Sequence, residues 1–225
     1  MAGDRAKPIR ESYDRIADEY ARRIYRELDG KPFDRKLLTR CANEVKGRGA
    51  VCDMGCGPGH VAKFLHDLGT NVFGLDISAG MVEQARQLNP GVVFDVGDMF
   101  ALDLLDGRLA GIVAFYAVVN ICKESLAIVF REMYRVLQAD GLLLLAFHIG
   151  DEAAHFEEFW GRPVSLDFFY FQPAEIRRLL EDAGFVIEEV VEREPYAPEV
   201  EHQSRRAYIW ARKPNQLKCP FPTRG

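Results

Sequence analysis

The sequence predicts an α/β fold: a doubly wound, mostly parallel seven-stranded sheet with helices on both faces and an antiparallel hairpin at one edge. Three observations predict it. Short apolar runs alternate with stretches of helical periodicity through residues 50–149. The last of these runs, LLLLAFH from Leu142, is apolar throughout, as expected of a strand covered on both faces. Two further strand-like runs, FVIEEVVERE and RRAYIWARK, follow a final helix and suit an antiparallel edge pair.

The elements follow in order. Tyr13, Ile16, Ala17, Tyr20, Ile24 and Leu28 recur at three- and four-residue spacing and predict a helix over 10–28. A second helix starts at Pro32 and turns Phe33, Leu37, Leu38 and Ala42 inward. GAVCDM is a buried strand, HVAKFLHDL a helix stopped by Gly69, and NVFGLDI a second strand. Ser78 is the expected N-cap of the next helix, with Met81, Val82, Ala85 and Leu88 in the core. GVVFDVGD and LAGIVAFYAVV are strands three and four. A helix over 124–138, ended by Asp140-Gly141, leads into strand five. The rhythm then breaks. Residues 151–172, rich in aromatics and acids, are read as an insertion holding a helix and a short strand or loop. PAEIRRLLEDAGF has proline at its start and glycine at its end, a well-marked helix.

Length and composition bound the class. A chain of 225 residues suits one domain, here 1–213, with residues 1–47 as an N-terminal helical lid and 214–225 as a disordered tail. The net charge of −5 argues against a nucleic-acid partner. No apolar run approaches the roughly 20 residues needed to span a bilayer. MAGDRAKPIR has no apolar stretch behind its charges, so a cytoplasmic monomer or homodimer is expected. Five cysteines, an odd count with no C-x-x-C pair, point to free thiols rather than disulfides or zinc, and no metal is expected.

The chemistry starts at VCDMGCGPGH, residues 51–60. A glycine-rich turn between strand and helix lets backbone approach a ligand with no Cβ in the way. A phosphate-binding P-loop fails, because no G-K-[ST] closes the turn. The dinucleotide fingerprint G-x-G-x-x-G is met only in part, which lowers that reading and leaves it open: Gly55, Gly57 and Gly59 give G-x-G-x-G, and position 60 is His. An adenosine site remains, and Cys52 and Cys56 read as small residues beside a tight turn.

The run D-x-G-C-G-P-G resembles the first motif of class I S-adenosylmethionine-dependent methyltransferases, whose fold is Rossmann-like. VFGLDIS, VGDM, AGIVAFYAVVNI and FREMYRVLQADGLLLLAF resemble the family's later segments in order, with Asp140-Gly141 where a glycine pair is common. ESYDRIADEY resembles the N-terminal helix of small-molecule members. The resemblance covers about residues 11–149 and implies a cofactor site. In it Asp53 holds the cofactor's ammonium, Gly55 and Gly57 give room to the methionine part, and Asp76 accepts the ribose hydroxyls. Ile77 and Met99, with Met81, flank adenine, and Asp98 takes its amino group. Cys56, Gly59, Gly97 and Phe115 complete the wall, and Tyr13 and Tyr20 fold over as a lid.

The resemblance further implies methyl transfer by in-line displacement to a small molecule. Tyr116, Asn120, which stands where many relatives have His, and His148 at the end of strand five are the catalytic candidates. His155, Trp160, Phe168 and Tyr170 join them as acceptor-binding candidates, because an insertion after strand five overhangs the sheet's C-terminal edge. Its aromatics favour an apolar or aromatic acceptor. Arg205 and Arg206 read chiefly as exposed strand charges, with binding of an acidic acceptor as the other reading. An NAD-dependent oxidoreductase and a non-catalytic S-adenosylmethionine-binding protein are the alternative functions.

Overall fold

β1 (Ala50–Met54) and β4 (Leu109–Phe115) form the buried centre of a seven-stranded sheet, and the strand order reverses between them. From β1 the sheet runs through β2 (Val72–Asp76) to β3 (Val93–Val96). From β4 it runs through β5 (Leu137–His148) to the edge hairpin of β9 (Arg206–Arg212) and β8 (Val186–Arg193). The first five strands are parallel, and β9 pairs antiparallel with both β5 and β8. Such a reversal opens a crevice beyond the C-terminal strand ends. The computed structural model describes residues 6–215.

Alternate residues of each central strand serve opposite faces. Leu143, Leu145 and Phe147 pack with α5 (Lys123–Val136) and α6 (Pro173–Asp182). Leu142, Leu144 and Ala146 pack with α2 (Pro32–Val45) and α3 (His60–Asp67), in the same cluster as Val82 and Ala85 of α4 (Ala79–Leu88). Ser78 caps α4 as expected, its Oγ accepting from the Met81 N–H at 3.0 Å. Pro32 and Pro173 open α2 and α6, where a missing N–H costs nothing.

Three expectations are corrected. The insertion carries no helix. It is a two-stranded antiparallel sheet, β6 (Ala153–Phe159) and β7 (Arg162–Phe169). Phe159 pairs with Arg162, so Trp160-Gly161 is a two-residue turn, and φ of 54° and 77° gives it the type I′ geometry that matches strand twist. The inward face of β7 is Val164 and Leu166, a period of two that the flanking acids masked. Strand five starts at Leu137, directly after α5 ends at Val136, and not after Asp140-Gly141. Asp140 adopts φ of 60° inside that strand, and its carboxylate pairs with Arg48. Leu88 is 40% exposed rather than core. The expected disorder over 214–225 falls mostly outside the described residues.

The hairpin β6–β7 packs on α1 (Lys7–Ile24), which also packs on α4. Ile16 and Ala17 of α1, Met81 of α4, and Val164 and Leu166 share one small core. Ser12 Oγ accepts from the Ser165 N–H at 2.9 Å, and Arg162 pairs with Asp18. Helix and hairpin therefore form one roof over the crevice.

Leu143→Ala empties a fully buried site between sheet and α5. It should cost about 2–5 kcal/mol in urea unfolding. Val93→Ala, on the edge strand and 63% exposed, should stay within about 0.5 kcal/mol. Equal costs would contradict this packing.

Candidate active site

The crevice holds a cavity of about 630 Å³, within the range of small-molecule sites. The glycine turn after β1 forms one wall. Gly55 has φ of 71°, and a Cβ there would lie 2.5 Å from Ala117 Cβ, in the loop after β4. Gly57 has φ of 51°, and a Cβ there would meet the Tyr20 ring in ordinary contact at 3.7 Å. The first glycine lets two loops nest, and the second leaves backbone bare to a ligand. Gly59 packs against Phe94 and Asn89 and does not line the cavity.

Asp76, at the end of β2, lines the cavity. Its Oδ2 accepts from the Gly57 N–H at 2.8 Å and its Oδ1 from the Ser78 N–H at 2.9 Å. Burial pushes its carboxyl up to about 6. Asp53 is placed differently. Its Oδ2 accepts from the Ala62 N–H at 2.9 Å, in the first turn of α3, and it does not line the cavity. Burial pushes it up to about 7. Ile77, Met81, Asp98, Met99 and Cys56 line the cavity, and Asp98 Oδ1 accepts from the Phe100 N–H. Gly97 packs on Leu75 outside it.

The roof contributes Tyr13, Tyr20, Trp160 and Phe168. Tyr13 donates to Asn120 Oδ1 at 2.8 Å, and Asn120 Nδ2 donates to the Asp167 carbonyl at 2.7 Å. One hydrogen-bonded chain thus joins α1, the loop after β4 and the hairpin. Tyr20 and Trp160 have ring centroids 5.8 Å apart, with the Arg23 guanidinium 5.1 Å from the indole.

At the far wall stand Phe115, Tyr116 and His148. Tyr116 has φ of 56°, an outlier for a bulky residue that costs on the order of 1–3 kcal/mol. Its ring lies 5.0 Å from that of His148, and its hydroxyl 3.2 Å from that of Tyr208. His148 Nδ1 sits 2.8 Å from Ser204 Oγ. Burial, with the charges of Arg206, His202 and Lys31, pushes His148 down to about 3, so its ring is neutral at pH 7. His155 pairs with Asp167 on the exposed side, and the Tyr170 hydroxyl meets His202 Nε2 at 3.1 Å; neither residue lines the cavity. Among the described residues no group of three or more His, Cys, Asp or Glu is placed to hold a metal.

Among the lining residues that the sequence reading left out of the cavity, or gave only a peripheral place, are the charged or titratable Glu27, Lys31, His60, Glu201 and Arg206. Arg206 is 2% exposed, a correction to its reading as a surface strand charge. Glu27 Oε2 pairs with Lys31 Nζ at 2.7 Å and its Oε1 with His60 Nε2 at 3.0 Å. Those partners overcome its burial and hold the carboxyl at about 2.

Residues 51–141 match the family model of a methyltransferase domain. The malonyl-[acyl-carrier protein] O-methyltransferase of Legionella pneumophila is 31% identical over 147 residues, covering 60% of this chain and 48% of that protein. Over that stretch the chain is similar to S-adenosylmethionine-dependent methyltransferases. The demethylmenaquinone methyltransferase of Renibacterium salmoninarum is 29% identical over 112 residues, covering 50% and 46%. The chain spans about half the length of the curated relatives it matches. In fold, this chain superposes on magnesium protoporphyrin IX methyltransferase from Synechocystis PCC 6803, solved with bound S-adenosylmethionine. That match has a TM-score of 0.70 at 19% identity and covers 93% of this chain and 97% of the other. A methyltransferase structure from Methanosarcina mazei also gives 0.70, at 17% identity, covering 79% and 98%.

Asp53 carries the site's clearest pH signature. Its folded value, about 7, lies above the ordinary 3.8, so it favours folding in its protonated form. That contribution is present below about pH 4 and is lost as pH rises through 7. Asp53→Asn should therefore gain on the wild type, by on the order of 2–4 kcal/mol, between pH 4 and 8. Urea unfolding across that range measures it; a pH-independent difference would refute the burial of this charge.

Proposed function

We propose that this chain binds S-adenosylmethionine and transfers its methyl group to a small molecule. The observation that carries the reading is Asp76: a half-buried carboxylate at the end of β2, lining a cavity that the backbone of Gly57 also lines. Its two oxygens suit a pair of vicinal hydroxyls, and donation from a ribose would favour the ionised form that burial disfavours. The residues fit this cofactor. Gly57 lines the cavity with bare backbone, Ile77, Met81 and Met99 offer apolar walls for adenine, and Asp98 accepts from an amino group.

The cofactor supplies an already activated methyl group on a sulfonium, so the protein's task is alignment and exclusion of water. Tyr13, Tyr20 and Phe115 present aromatic faces suited to a cation. The roof of α1 and β6–β7 closes the site and is the acceptor's cover. We assign Asn120 a positioning part, because Tyr13 and the Asp167 carbonyl fix its amide. His148, pushed down to about 3, is a weak base and orients the acceptor rather than deprotonating it. The acceptor is thus a molecule nucleophilic without help from a base, with an apolar body that meets Val119, Ile121 and Phe168. Among the described residues no helix is long and apolar enough to cross a membrane. We place the protein in the cytoplasm as a monomer or homodimer.

The dinucleotide alternative finds no support. Where its fingerprint needs a third glycine stands His60, whose ring is paired with Glu27. Calorimetry should show binding of S-adenosylhomocysteine and none of NADH; the reverse would overturn the proposal. Asp76→Ala should weaken S-adenosylhomocysteine about tenfold to a hundredfold, the worth of charge-assisted hydrogen bonds. Near-normal affinity would refute the ribose role.

A further inference from the structure

We propose that the acceptor carries a carboxylate, and that Arg206 and Lys31 bind it beside the ring of Tyr116. The inference deepens the methyl-transfer reading and rests on it. Both cations line the cavity, and both are almost wholly enclosed, at 2% and 3% exposure. The Lys31 ammonium lies 5.3 Å and the Arg206 guanidinium 5.8 Å from the centre of the same Tyr116 ring.

Buried cations need compensating charge, and here it is shared. Glu201 Oε2 lies 3.0 Å from Arg206 Nε and 3.7 Å from Lys31 Nζ, while Glu201 also pairs with Arg193. One carboxylate thus serves three cations. Glu27, the second partner of Lys31, is shared with His60. Asp34, the second partner of Arg193, also accepts from the Tyr208 hydroxyl at 3.0 Å, and burial pushes its carboxyl up.

Donors are also left over. Arg206 has five N–H groups. Nη1 donates to the Ser204 carbonyl and hydroxyl, and Nη2 to the His202 carbonyl at 2.9 Å. The Nε–H, although close to Glu201, is not aligned for a hydrogen bond with any described residue. That leaves two N–H groups of a buried guanidinium without a hydrogen bond. A carboxylate is the group that matches such a fork in charge and shape. The depressed basicity of His148, caused after burial first by Arg206, reports the same positive field. Phe100, Phe115, Val119 and Ile121 line the same cavity, an apolar surface for a hydrocarbon or aryl body attached to the acid.

Matched probes test this: cinnamate, phenylpropanoate and octanoate against their primary amides, titrated calorimetrically with and without S-adenosylhomocysteine. At least one acid should bind about tenfold or more tightly than its amide. Arg206→Gln should abolish that preference while leaving S-adenosylhomocysteine affinity within about twofold. Equal affinity for acid and amide, or an acid preference that survives both Arg206→Gln and Lys31→Met, would overturn the proposal. If the variants do not fold, the wild-type comparison of acid with amide still decides. S-adenosylhomocysteine binding to the wild type is read in its own titration, so failure of the methyl-transfer reading is seen separately.

Discussion

The site depends on one steric constraint, the close approach of the turns that follow β1 and β4. Gly55 and Ala117 are so near that a single added carbon would leave 2.5 Å between Cβ atoms. That contact sets where β1 ends, and the next residues follow. The Gly55 and Cys56 N–H groups both reach the Leu75 carbonyl on β2, at 2.8 and 3.0 Å. Gly57 then reaches Asp76. The turn is therefore tied on one side to β2 and wedged on the other against β4. The bare backbone of Gly57 stands beside a carboxylate because of that bracing. Preorganised polar groups of this kind cost nothing to orient when a ligand arrives.

Burial of charge is the second thread. Asp53 and Asp76 are pushed up because few partners offset their desolvation. Glu27 is held down because His60 and Lys31 do offset it. Asp53 braces the first turn of α3 from the end of central strand β1, a structural placement for an acid that the family resemblance assigns to the cofactor. The roof adds a polar seam of Tyr13, Asn120 and the Asp167 carbonyl to an apolar core of five residues. An apolar core and a directional seam together hold α1 and the hairpin in one register over the cavity.

Local pattern made most of the sheet legible. The apolar runs, the glycine turn, Ser78 and the prolines of α2 and α6 each act within a few residues of themselves, and the strand and helix assignments that used them hold. What was not legible depends on distant partners. Trp160 is not a turn former, and only the pairing of Phe159 with Arg162 drives it to positive φ. The acids of β6 face outward and hid the period of two in β7. Arg206 lies opposite His148 in the β5–β9 ladder, so its side chain is enclosed at the crevice, whereas Arg205 next to it is about half exposed. Lys31 meets Glu201 from 170 positions away, which no spacing rule reaches. Motifs made the glycine turn and Asp76 readable; the cationic wall of the cavity needed the tertiary fold.

A crystal structure with S-adenosylhomocysteine tests the central claim most directly. The ribose hydroxyls should lie within hydrogen-bond distance of both Asp76 oxygens, with the homocysteine part along Gly57 and beneath Tyr20. A ligand bound elsewhere, or an Asp76 carboxylate still engaged only with Gly57 and Ser78, would contradict it.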